Sequence, residues 1–168
     1  DWEVKDVVSL IASPRDWWAL HNLFKLERSL SPGDTKITVE KLANIKSSLS
    51  QDALIELLQS PDFSIRSRVL AALRNIQLKK STQQALICEL EENIFTTAYI
   101  AAEILGEQKV RDAIPALRRT LNSEDVYLQG KSLVALVQLQ DSESYQTIRR
   151  IFLTSTNPRT VIHGAMAL

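Results

Sequence analysis

Cysteine is almost absent from this 168-residue chain, and its single Cys88 excludes an internal disulfide framework. One lone thiol suits a reducing compartment. Histidine is as scarce. His21 and His163 stand near opposite ends of the sequence, so with Cys88 between them no zinc-type ligand set assembles. The four glycines, Gly33, Gly106, Gly130 and Gly164, are scattered singly, which removes a glycine-rich phosphate cradle. Charge of one sign is also missing: 20 Lys+Arg balance 20 Asp+Glu, which disfavours a strongly basic nucleic-acid binder. No apolar run nears the roughly 18 residues that cross a bilayer, and no signal-peptide pattern opens the chain. Strand-like alternation is nearly absent as well.

What the chain does have is repetition. The apolar positions of Ile65–Leu73 fall in register with those of Leu128–Leu136, 63 residues on, and Thr97–Leu105 lies between them at offsets of 32 and 31. A fixed period in this range marks a solenoid, whose units bury their apolar faces only by stacking on their neighbours. Two helix families interleave. The A helices are expected at 35–47, 63–77, 95–107, 126–140 and from 159 to 168; the B helices at 50–60, 81–93, 110–122 and 143–154. The clearest, 110–122, sets Ile114, Leu117 and Leu121 inward, with Asp112 near its start; Pro115 is tolerated if it falls in the first turn. Its counterparts inward are Tyr145, Ile148 and Phe152 one repeat later, Leu86 and Leu90 one repeat earlier, and Leu54 and Leu58 before those. Leu58 to Ile65, Leu90 to Thr97 and Leu121 to Leu128 are each seven residues, with Ser60-Pro61-Asp62, Glu92-Asn93 and Asn122-Ser123-Glu124-Asp125 supplying stop and N-cap chemistry.

The upstream part differs. Pro14-Arg15-Asp16 opens a helix through Trp17, Leu20, Leu23, Phe24 and Leu26 that Ser31-Pro32-Gly33-Asp34 ends, and 2–12 reads as another helix. Terminal repeats are atypical because they cover an end of the stack. The expectation is therefore one domain with a helical cap at 1–34 and repeats at about 35–62, 63–94, 95–125 and 126–157, then a partial one at 158–168. Asp1 in place of Met, and the apolar helix-like Ile162–Leu168, read as the ends of a fragment of a longer protein.

Ala101-Ala102-Glu103-Ile104-Leu105-Gly106, then Ala113-Ile114-Pro115-Ala116-Leu117 and Leu121, together with Ser64-Ile65-Arg66 after Pro61-Asp62, resemble the HEAT-like repeats. The likeness is strongest to the short bacterial type of the phycobilisome bilin lyases. The resemblance covers roughly residues 35–168. It departs from long HEAT and armadillo repeats in its period of 31–32 instead of about 40–47. The family's entry arginine stands only at Arg66, with Ala98 and Gln129 in its place in the next two repeats. Phe95-Thr96-Thr97-Ala98-Tyr99 with Leu128-Gln129-Gly130-Lys131 is similar to the soluble HEAT-like tails of some bacterial major-facilitator-type transporters. These resemblances imply an all-α fold, a right-handed α-solenoid of antiparallel helix pairs with about 10–11 helices. They also imply a non-enzymatic scaffold or regulatory module that binds a protein partner or another domain of its own chain. Its place would be the cytoplasm, touching a membrane only through a transmembrane region elsewhere. The alternative they carry is an enzyme on the same scaffold, a bilin lyase or an alkyl-base DNA glycosylase.

Groups able to carry chemistry are few, and no catalytic residue, cofactor or metal is expected. Glu91-Glu92 and Glu124-Asp125 are paired acids, but they sit in turns where acids favour the next helix N-terminus. Gly130 and Gly164 lie within helices, where close packing on a neighbour would offset about 1 kcal/mol of lost propensity. The binding candidates are Arg118, Arg119, Arg149 and Arg150, two pairs at one repeat position. On the helical wheel Arg118 and Arg149 flank the core while Arg119 and Arg150 point away. In HEAT-like solenoids the B helices line the concave face, so these would form a short ladder with rungs roughly 10 Å apart. Arginine suits carboxylate and phosphate recognition, although a solvated face paired with nearby acids explains the same residues. The ladder stops at Ile87 and Cys88 one repeat earlier. Trp17 and Trp18 form a candidate aromatic anchor; about 100° apart on one helix, they do not both face inward.

Overall fold

The computed structural model describes residues 39–40, 42, 48–60, 62–92, 97–158, 161–162 and 165. The cap expected at 1–34, with Trp17 and Trp18, lies outside the described residues, as do His21, His163 and most of 35–47 and 159–168. Seven α-helices with defined bounds are described: α1 (Ser48–Leu58), α2 (Phe63–Arg74), α3 (Lys80–Glu92), α4 (Ala98–Glu107), α5 (Ile114–Thr120), α6 (Val126–Gln138) and α7 (Tyr145–Thr154). No strand occurs among the described residues. The fold class is all-α, built from the alternating A and B helices of a solenoid. The chain divides into two compact units, residues 1–82 and 83–168.

In the first unit α1 packs on α2, with Leu54, Leu58, Val69, Leu70 and Leu73 fully buried between them. Each such leucine contributes about 1.5–3 kcal/mol by leaving water. Asp62 caps α2 by accepting the Ser64 amide proton at 2.7 Å, and Arg66 reaches back to donate to the Ser60 carbonyl at 2.6 Å. The equivalent turn before α6 repeats this chemistry. Asp125 accepts from the Tyr127 and Leu128 amides, while Gln129 donates to the Leu121 carbonyl at 2.9 Å. Gln129 thus takes over the loop-closing task of the entry arginine, with a shorter and neutral donor. In the repeat between, where Ala98 stands, the Thr97 hydroxyl donates to the buried Glu89 carboxylate at 2.5 Å.

The second unit stacks α4 on α6 and seats α5 against α6. Leu105, Leu117, Leu128, Leu133 and Leu136 form its fully buried core, and Thr120 and Ser132 share a hydrogen bond across α5 and α6 at 2.6 Å. Backbones approach closely at Gly106, where an added Cβ would lie 2.7 Å from both Cα and Cβ of Ala135. Gly130 is buried in α6, and Gly164 lies outside the described residues.

Two A helices end alike, and differently from the sequence signal. Lys109 and Gln140, 31 residues apart, both take φ 57°. The Val110 and Asp141 amides then bond back to the Leu105 and Leu136 carbonyls at 2.9 and 3.0 Å, the six-residue closure of a Schellman motif. Glycine normally serves there, because a side chain in the left-handed region costs about 1–2 kcal/mol. Each closure leads into a 3-10 turn, Arg111–Ala113 or Ser142–Ser144, before the α-helix proper begins. The B helices expected from 110 and 143 therefore turn α-helical only at Ile114 and Tyr145, with Pro115 in the first turn of α5. Gln140 is exposed and its side chain makes no hydrogen bond among the described residues. Gln140→Gly is accordingly expected to stabilise the chain by about 0.5–1 kcal/mol, the relieved strain less the entropy of a freer unfolded chain. Urea unfolding followed by circular dichroism measures it.

Candidate functional site

The B helices α5 and α7 carry the four arginines, and the structure sorts them into two kinds. Arg118 lies along the flank of α5 with 35% of its side chain exposed. Its guanidinium grips Asp141 with two nitrogens, Nε to Oδ2 at 2.8 Å and Nη2 to Oδ1, and its Nη1 donates to Glu143 Oε2 at 2.6 Å. Asp141, only 6% exposed, opens the 3-10 turn before α7 and also accepts from the Ser144 hydroxyl. The Arg118 fork holds the Asp141 carboxyl below its usual range against the opposing effect of burial, with the Ser144 hydroxyl helping. Arg118 in turn is held protonated beyond its ordinary range, chiefly by its hydrogen bond to Asp141.

Arg119 points outward, 63% exposed, and pairs with Glu91 at the end of α3. A surface pair of this kind is worth little by itself. It borders a shallow cleft of about 250 Å³ that Leu90, Ala116, Thr120 and Leu128 also line. Arg149 and Arg150 are exposed and have no ion pair among the described residues.

Inspection of the sequence missed the neighbours of these two arginines. Tyr145, expected inward, is 51% exposed, and Leu153 is 66% exposed. Ile148 alone of the expected inward trio is fully buried, since the 3-10 turn turns Ser144 toward the core ahead of Tyr145. The structure thus gathers Arg149, Arg150, Tyr145 and Leu153 on one helix face, and ties Arg118 and Arg119 into ion pairs. Trp17 and Trp18 lie outside the described residues. Among the described residues no cluster of three His, Cys, Asp or Glu side chains is arranged to hold a metal ion, and no helix is long and apolar enough to cross a membrane.

The alternating pairs, the repeated αL closures and the repeated Asp caps are one unit used several times. A family model described as HEAT repeats matches residues 84–168, just over half of the chain. The chain belongs to the HEAT repeat family. Among solved structures, its HEAT fold is similar to the crystal structure of an engineered protein, a Northeast Structural Genomics Consortium target. That similarity has a TM-score of 0.54 at 20% identity and covers 100% of this chain and 96% of that one. At that identity the likeness concerns the fold alone. None of the curated proteins compared with this HEAT chain matches it.

Proposed function

We propose that this HEAT chain is a non-enzymatic interaction module that takes up a protein partner, or another domain of its own chain, along its B helices. The observation that carries the reading is the HEAT repeat match over residues 84–168, since stacked helix pairs of this kind present extended binding surfaces. The acids that might have suggested catalysis have structural work instead. Glu91 pairs with Arg119, Asp125 caps α6, and Asp141 and Glu143 hold Arg118. The sequence likeness at Phe95–Tyr99 and Leu128–Lys131 supports a cytoplasmic module attached to a membrane transporter; the parent open reading frame tests that attachment.

Charge reversal supplies the functional test. The double variant Arg119→Glu/Arg150→Glu is expected to lower partner capture by about tenfold, while helicity and melting stay as in the parent chain. Equal capture by both proteins would sink the reading. Salt-dependent DNA binding, or covalent uptake of a free bilin, would favour an enzyme on the same scaffold.

A further inference from the structure

We draw no further inference here: the strongest candidate, the shallow cleft between the end of α3 and the turn from α5 to α6, floored by Leu90, Ala116 and Leu128, carries nothing because its bordering Arg119 is already paired with Glu91 and nothing in the structure shows what covers it.

Discussion

A Gly106→Val variant is expected to lose about 3 kcal/mol of stability, the heaviest loss we anticipate from one substitution in this chain. Gly106 is the penultimate residue of α4. A side chain at a helical glycine ordinarily gains up to ~1 kcal/mol of propensity. Here the added Cβ would meet the Ala135 Cα at 2.7 Å and the Gln138 Oε1 at 2.6 Å. The glutamine end can swing aside, but the α6 backbone cannot yield without disturbing Leu133 and Leu136, both fully buried. Alanine at 106 should cost about 1–2 kcal/mol, the clash less the propensity gain, and valine more because its two methyls enter the same crowded space. Adding Ala135→Gly to Gly106→Ala should restore only part of the loss, since it deletes the opposing methyl and leaves the α6 main chain in place. Urea titration followed by far-ultraviolet circular dichroism is the measurement. Tryptophan fluorescence is the wrong probe, for Trp2, Trp17 and Trp18 all precede residue 35. Full tolerance of valine would mean that α4 and α6 can move apart without loss of packing.

That close approach also marks where inspection of the sequence reached its limit. The apolar spacing and the acidic caps were legible, so α2 and α6 begin at Phe63 and Val126, directly after Asp62 and Asp125. Helix ends were harder. The stop at Gln140 is a backbone conformation held by closure bonds, with no glycine or asparagine to announce it, and the expected 126–140 overshoots the observed end at Gln138. Tight helix packing was expected at Gly130 and Gly164, inside helices; a close crossing of α4 and α6 stands at Gly106, which the sequence did not mark out. Such a crossing depends on two residues 29 apart in sequence, Gly106 and Ala135, on different helices. The wheel correctly separated a flanking Arg118 from an outward Arg119. It had no means of finding their acids, which lie 23, 25 and 28 residues away, Asp141 and Glu143 in the turn before α7 and Glu91 in the last turn of α3.

Replacing Asp141 by asparagine should destabilise the chain by about 1–3 kcal/mol at neutral pH, because it removes a nearly buried, charge-assisted fork and leaves the neighbouring donors poorly matched. The effect carries a pH signature that a simple packing change lacks. The Asp141 carboxyl is held below its usual 3.8 in the folded chain, first by the Arg118 hydrogen bonds and then by Ser144, with burial acting in the opposite direction. A depressed folded value means that the unfolded chain binds the proton more readily. The stabilisation is therefore complete above about pH 3.8 and is lost as pH falls from there through the folded value. Arg118 does not titrate in this window, so the whole slope from the pair belongs to the carboxylate. Parent and Asp141→Asn chains should differ by a constant amount between about pH 5 and 8 and converge in stronger acid. Added salt should shrink the difference only modestly, since Asp141 is enclosed, whereas Glu143→Gln, at an exposed site, should cost less and respond more to salt. A stability gap that persisted unchanged to about pH 2 would show that shape at position 141, and not its charge, closes the turn into α7.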